Sequence, residues 1–224
     1  SYIPGPWMES IQVSKGTSTV KNGFESVTGL INVEYKKPEK SEKLYLNLYV
    51  NNDLKTELNL NTKLKINDRW STMLLGHGEY FNTKTDRNND SFIDIPLVTQ
   101  YNILNRWKYS GTRGFDAIIA LELLQEDRAG GQTFFVKSSD YRTTNAYGIG
   151  VNTLKWNAFT KTGYLFLDKP YKNFGFINSF TFHRQNAFYG LNRYDGIQQS
   201  YYGNLIYQTI IKNTNNKVTS GISY

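Results

Sequence analysis

The stretch that decides the fold is residues 57–66, which read ELNLNTKLKI. Its side chains alternate one by one, with Leu58, Leu60, Thr62, Leu64 and Ile66 on one side and Glu57, Asn59, Asn61, Lys63 and Lys65 on the other. Successive side chains of a strand point to opposite faces, whereas a helix would mix these two sets. The stretch therefore predicts a β-strand with one apolar and one polar face.

The same period of two recurs along most of the chain. It predicts eight further strands, over residues 43–50, 70–81, 97–109, 115–123, 156–167, 174–182, 200–211 and 217–224. Most of them have the length that a tilted strand needs to cross a bilayer. The sequence therefore predicts an all-β fold of about nine antiparallel strands.

The links between these strands alternate in length. Short polar links at 67–69, 110–114, 168–173 and 212–216 alternate with long links at 82–96, 126–152 and 185–199, and only the link at 51–55 breaks the rule. Tight turns at one rim and long loops at the other are typical of outer-membrane barrels. Aromatic residues near the predicted strand ends fit the interfacial girdles of such barrels: Trp70, Trp107, Trp156, Phe174 and Tyr201. The pattern favours an up-and-down membrane β-barrel.

The composition excludes several other classes of protein and site. The 224 residues are 39% hydrophobic and 15% aromatic, and they contain no cysteine, which excludes disulfides and thiolate metal sites. No run approaches the length of a membrane-spanning helix. The net charge of +7 comes from scattered lysines and arginines, so we expect no nucleic-acid partner.

The first forty residues follow a different pattern. Two short strands are predicted, around Ile11 and Val13 and over residues 29–35, with turns at 15–16 and 22–23. This order resembles the end of the plug domain of TonB-dependent outer-membrane receptors, and the Asn-Gly-Phe-Glu-Ser run is similar to the Bacteroidetes branch of that family. The residues that carry the resemblance are Ile11, Val13, Lys15, Gly16, Ser18, Val20, Asn22, Gly23, Phe24, Glu25, Ser26, Gly29, Ile31, Asn32 and Val33.

The resemblance implies a domain organisation and a function. Residues 1–38 would be the C-terminal part of a plug with α+β structure, and residues 39–224 the first part of an incomplete barrel whose whole has about 22 strands. The function implied is active uptake of a siderophore, cobalamin, metal or glycan across the bacterial outer membrane. The partners implied are TonB, reached through an N-terminal segment missing here, a small-molecule or metal-chelate ligand, outer-membrane lipid or lipopolysaccharide, and a surface lipoprotein.

One predicted loop has the spacing of a calcium site. Asp86, Asn88, Asp90 and Asp94 fall at alternate or near-alternate positions, as in the first part of an EF-hand loop. Ser91 replaces the usual glycine, and Leu97 stands where the bidentate glutamate would be. The alternative is a polar turn in which Asx side chains bind the backbone. Calcium is the one cofactor that the sequence suggests.

No catalytic constellation is predicted. His77 and His183 fall on separate strands, and the Gly-x-Gly runs at 76–78 and 148–150 precede no helix that could hold a phosphate. We therefore expect a protein that is not an enzyme. The alternative to an importer is a soluble or surface-exposed β-module that binds a glycan through its aromatic residues, and a passive porin is a third possibility.

Overall fold

The computed structural model describes residues 3–16 and 28–224, which form two antiparallel sheets. No helix within these described residues is long and apolar enough to span a membrane. The smaller sheet has two strands near the N-terminus, and the larger has nine strands in chain order. The predicted all-β architecture of nine antiparallel strands is confirmed.

The small sheet follows a short turn at the N-terminus. A 3-10 helix at Gly5–Trp7 leads into β1 (Met8–Lys15), which pairs with β2 (Gly29–Tyr35) so that Val13 lies opposite Ile31. Both predicted short strands are confirmed. The predicted α contribution is not shown, because the described part of this segment contains only the 3-10 turn. Motif residues 17–27 lie outside the described residues.

The large sheet is an open meander in which each strand pairs with the next. Its strands are β3 (Leu44–Val50), β4 (Thr56–Lys65), β5 (Trp70–Phe81), β6 (Leu97–Ser110), β7 (Phe115–Gly131), β8 (Gly148–Leu165), β9 (Asn173–Tyr189), β10 (Asn192–Ile210) and β11 (Lys217–Ser223). Within the described residues, β3 and β11 each have a partner strand on one side only. The links at 66–69, 111–114, 166–172 and 211–216 define the short-turn end, and the opposite end is the long-loop end.

The four strands β7 to β10 are longer than the apolar alternation predicts. The predicted long link at 185–199 is wrong, because β9 and β10 continue through it and meet in a two-residue turn between Tyr189 and Asn192. The predicted long link at 126–152 shortens to residues 132–147. In these extensions apolar residues no longer keep to one face, since Ile149 and Val151 lie on the inner face and Phe188 and Ile197 on the outer one. The period-two signal therefore ends although the backbone pairing continues.

Burial separates the two faces of the large sheet in an unusual way. We call the described residues before β3, 3–16 and 28–43, the N-terminal segment. The face of the large sheet that contacts this segment is the inner face, and the opposite one is the outer face. On β7, Leu121 is 49% exposed on the outer face while its neighbour Glu122 is 4% exposed on the inner face. On β6, Ile103 is 50% exposed and Asn102 is fully buried. Apolar side chains thus dominate the outer face, whereas the inner face buries polar side chains together with apolar ones such as Leu75, Leu104 and Leu124.

Candidate functional site

The inner face is the candidate site, because it buries polar side chains that a soluble core would not need. Strand register places the members of this face in rows across the sheet. One row consists of Asn59, His77, Asn102, Leu124 and Lys155, and the next row toward the long-loop end of Glu57, Glu79, Gln100, Glu126 and Thr153. The predicted facing of Asn59 and Asn61 is confirmed, since both are buried on this face.

Several of these side chains form a hydrogen-bonded chain across the strands. The Asn59 amide nitrogen donates to Asn47 Oδ1 at 3.2 Å, and Asn59 Oδ1 lies 2.7 Å from His77 Nδ1. At the long-loop end, Lys55 Nζ lies 2.7 Å from Glu57 Oε1 and 3.1 Å from Glu79 Oε1. His77 Nε2 also lies 3.9 Å from Glu79 Oε2, so His77 connects the Asn59 amide to the carboxylates of the neighbouring row.

The inner face also keeps buried oxygen atoms without a hydrogen-bond partner among the described residues. They are Gln100 Oε1, Glu122 Oε1, Glu126 Oε2 and Thr153 Oγ1. A buried polar atom without a partner costs about 1–3 kcal/mol, so such a cluster is unfavourable in a dry core. Water in a polar interior satisfies atoms of this kind. The cluster favours a wet inner face.

The N-terminal segment contacts the inner face through one large aromatic residue. Trp7 is fully buried against Met73, Leu75 and Leu104, and its ring meets that of Tyr35 edge-on at 6.4 Å. These three apolar residues lie on the inner face of β5 and β6, next to polar residues of the same face such as His77 and Asn102. They interrupt the polar face at the place where Trp7 packs.

Polar contacts surround this aromatic anchor. Asn61 donates to the Pro6 carbonyl at 3.1 Å, and Arg106 lies within 3.5 Å of the carbonyl oxygens of Tyr35 and Lys36. The backbone of the segment closes on itself as the Lys36 amide donates to the Trp7 carbonyl at 2.8 Å. The segment is therefore joined to the sheet by both apolar packing and hydrogen bonds.

The contact with the sheet shifts the pKa values of two titratable groups in the segment, Tyr35 and Glu39. Burial, with a smaller contribution from Glu122, raises the pKa of Tyr35, so its phenol is neutral at physiological pH. Burial alone would raise the pKa of Glu39, but its hydrogen-bonded ion pair with Lys108 outweighs that effect and lowers it. Glu39 is thus a charged link between the segment and β6.

The loops at the long-loop end contact one another in sequence. Arg87 binds both carboxylate oxygens of Asp53 at 2.8 and 3.0 Å, which joins the loop 82–96 to the first hairpin. The Thr133 amide donates to the Ser91 carbonyl at 2.8 Å. Arg142 Nε donates to the Leu191 carbonyl at 2.9 Å, so the loop 132–147 also reaches the β9–β10 hairpin. These contacts make the loops one continuous rim.

The predicted calcium residues lie in this rim, and their oxygens bind the loop backbone. Asp86 accepts from the amides of Asp90 at 3.1 Å and Ser91 at 2.9 Å. Asp90 accepts from the Phe92 amide at 2.8 Å, and Asn88 Nδ2 donates to Asp90 Oδ2 at 2.9 Å.

The fourth predicted ligand follows the same pattern. Asp94 accepts from the Arg87 amide at 2.9 Å. Within the described residues, no group of three or more His, Cys, Asp or Glu side chains could hold a metal ion. The loop therefore has the hydrogen bonds of a polar turn in which Asx side chains bind the backbone. Calcium binding stays a prediction.

Sequence reasoning missed Trp7 and Arg106, which are two of the residues that join the segment to the sheet. A signal for Trp7 is present, since Pro4 and Pro6 flank Gly5 and restrict the backbone just before a large aromatic residue. Arg106 carries no such signal, because one arginine among many scattered cations does not stand out.

No known protein family, curated protein or solved structure matches this chain. Function must therefore be inferred from the sequence and the site.

Proposed function

We propose that the large sheet is part of the wall of a bacterial outer-membrane β-barrel and that the N-terminal segment is the end of a plug inside it. The function would be uptake of a nutrient ligand, energised through TonB. The observation that carries the proposal is the inverted burial of the sheet. Lipid accepts apolar outer residues, and a water-filled interior accepts buried polar ones.

The height of the outer apolar band supports this placement. On β7 the outer residues are apolar from Phe115 to Leu123 and polar at Gln125 and Asp127. At about 3.4 Å per residue this band runs roughly 27 Å along the strand, or roughly 20 Å after a tilt of about 40°. Bacterial outer-membrane barrels have an apolar band of about 25 Å. On the neighbouring strands, outer polar residues end the band at Asn152, Arg184 and Gln199.

Aromatic residues border this band at the short-turn end. Trp70 lies 5.0 Å from Tyr109 and Phe174 lies 4.7 Å from Tyr207, measured between ring centroids. The outer-face row that they belong to runs from β5 to β10 and consists of Trp70, Trp107, Tyr109, Phe115, Tyr164, Phe166, Phe174 and Tyr207. Such a row is typical of the membrane–water interface. Of the predicted girdle residues, Trp156 and Tyr201 instead lie in the middle of β8 and β10.

The docked N-terminal segment favours a gated importer over an open pore. It covers part of the inner face through Trp7, Asn61 and Arg106, and a pore would leave that face to water. The resemblance of residues 11–33 to the end of a plug supports the same class. In this proposal ligand enters at the rim of long loops, and TonB acts from the short-turn side.

Lipid contact can be tested with a matched pair of substitutions. Leu121 lies inside the apolar band, and Ile197 lies on the outer face of β10 beside Arg184, beyond it. Both side chains are exposed, so arginine fits sterically at either place. We expect Leu121→Arg to make folding into lipid vesicles less favourable by about 2–4 kcal/mol and Ile197→Arg to make it less favourable by about 1 kcal/mol or less.

The measurement is the urea dependence of folding into vesicles, made on the whole protein so that the edge strands β3 and β11 have the partners that they need in lipid. Equal effects of the two substitutions would contradict the membrane placement, as would folding of the unmodified chain in water without lipid or detergent. That last result would support the soluble glycan-binding alternative. A dependence of uptake on TonB in cells that carry the whole protein would then test the transport function itself.

A further inference from the structure

A second feature of the inner face is a cavity at the short-turn end. It has a volume of about 600 Å³ and lies among the ends of β4, β5 and β6 and the residues that connect β2 to β3. Glu39 from that connection and Lys108 from β6 form an ion pair at its edge. The cavity is separate from the rim of loops, which lies at the other end of the strands.

The charges that line this cavity do not balance. Five cationic side chains face two carboxylates, Glu39 and Asp68, and the cations are Lys43, Lys63, Lys65, Arg69 and Lys108. Lys65 pairs with Asp68 at 2.7 Å, and Lys108 pairs with Glu39. Lys43, Lys63 and Arg69 have no carboxylate within ion-pair distance in the described part of the chain. Three positive charges are left at one cavity.

The strand pairing holds two of these cations side by side. The Lys63 amide donates to the Lys43 carbonyl at 3.1 Å, one position beyond the register pair of Leu44 and Thr62, and both residues line the cavity. Like charges at facing positions of neighbouring strands destabilise a sheet. An anion between them would remove that repulsion.

We propose that this cavity binds a phosphate group. Free phosphate or a phosphate monoester carries close to two negative charges, and a phospholipid phosphodiester carries one. Both have several acceptor oxygens, so either offsets part of the excess of three positive charges. Lysine binds phosphate as a point charge, and the arginine fork can bind two of its oxygens. The hydroxyls of Ser71 and Ser110, which also line the cavity, supply neutral donors.

The phosphate has two possible sources, a soluble phosphate compound or the headgroup of an anionic phospholipid. The cavity adjoins Trp70, whose ring belongs to the outer aromatic row, so a headgroup is within reach of the same cations. Both sources place the same chemistry on Lys43 and Lys63. The inference does not depend on transport, because it concerns binding to the folded chain.

The test measures binding to the full chain folded in a neutral detergent. Inorganic phosphate is titrated by calorimetry into the unmodified chain, the double variant Lys43→Gln/Lys63→Gln, and the control Lys169→Gln. Lys169 is an exposed lysine of the 166–172 turn at the same end of the sheet. We expect the double variant to bind phosphate at least about tenfold more weakly and the control to bind it as the unmodified chain does. Thermal unfolding of all three chains checks that the sheet is intact.

A second arm replaces phosphate by phosphatidylglycerol dispersed in the same neutral detergent, with phosphatidylcholine for comparison. Binding to phosphatidylglycerol that needs Lys43 and Lys63 identifies a headgroup site, and binding of free phosphate alone identifies a soluble ligand. The proposal is overturned if neither probe binds, or if the double variant and the Lys169→Gln control bind equally. Equal weakening in both variants would mean a general effect of positive charge, and unchanged binding in both would mean that phosphate binds elsewhere.

Discussion

A single tryptophan, Trp7, packs on the apolar patch that Met73, Leu75 and Leu104 form on the inner face. Met73, Leu75 and Leu104 would be misplaced on the inner face of the sheet if nothing covered them. Trp7 covers them completely, since its own exposed fraction is zero. The contact buries a large aromatic surface, so it contributes more to docking of the segment than the hydrogen bonds around it.

Replacing this residue should release the segment without unfolding the sheet. We expect Trp7→Ala to weaken docking by about 3–5 kcal/mol, because a fully buried tryptophan is removed. Hydrogen exchange would then rise in β1 and β2 and stay unchanged in β5 and β6. Val13→Ala is the control, since Val13 is exposed on β1 and should have little effect. Unchanged exchange in β1 and β2 of the Trp7→Ala chain would contradict the anchor.

The ion pair of Glu39 makes the docking depend on pH. Because the pKa of Glu39 is lowered in the folded chain, its stabilising contribution is present at neutral pH. It is lost as the pH falls below the ordinary glutamate value of 4.5 and through the lowered pKa. We expect residues 36–43 to lose protection from exchange or proteolysis in that acid range.

The matching control for this pH dependence is Glu39→Gln. That variant should show weaker protection at neutral pH and a smaller change on acidification. If both chains lost protection in parallel, the acid response would belong to other carboxylates.

At the scale of elements, the turn between β9 and β10 is the largest departure from the sequence prediction. Gly190 and Leu191 connect the two strands directly, and Gly190 has a φ of +57°. A two-residue hairpin of the Gly-X kind needs this left-handed backbone at its first position. The Gly-Leu pair was therefore a readable hairpin signal, hidden because the flanking residues do not alternate between one apolar and one polar face.

This turn gives a prediction that is independent of function. Gly190→Ala places a side chain at positive φ and 3.0 Å from the Tyr147 ring, so we expect the hairpin to lose about 1–2 kcal/mol. Gly175→Ala on β9 meets no atom within 4 Å and should be neutral or slightly stabilising. Exchange of amides in residues 185–197 measures the difference. Equal protection in the two variants would show that the turn tolerates any residue.

Strand number and facing could be predicted from the sequence because alternation is a local property. In residues 57–66, apolar and polar residues alternate one by one, so the sequence alone predicts which face each side chain is on. The structure confirms these two faces. The strand extensions could not be predicted in this way, because pairing there depends on backbone contacts with the next strand. The docking of Trp7 on β5 and β6 depends on residues more than sixty positions away, which no local pattern contains.

The candidate site was predictable only in part for the same reason. That Asn59 and Asn61 share the polar face of β4 follows from alternation. The contact between Asn59 and His77 depends on the register between β4 and β5, which the sequence does not show. The calcium spacing of Asp86, Asn88 and Asp90 was readable, yet equally spaced Asx residues also bind their own backbone, as they do here.

At the scale of the whole molecule, one distribution unites the observations: the outside of the large sheet is apolar and the inside is polar and partly occupied. In lipid, an open edge would leave backbone groups unpaired, so β3 and β11 need partner strands to complete a wall. The proposed function therefore requires further strands, from the same protein or from a second copy.

The most direct test of this account is the position of the tryptophans relative to lipid. The chain has four, of which Trp156 lies on the outer face within the apolar band and Trp7 is buried on the inner face. Single-tryptophan variants that keep one or the other are folded into vesicles whose acyl chains carry bromine, which quenches fluorescence on contact. The account predicts strong quenching of Trp156 and little quenching of Trp7. Equal quenching of both, or no quenching of Trp156, would contradict it.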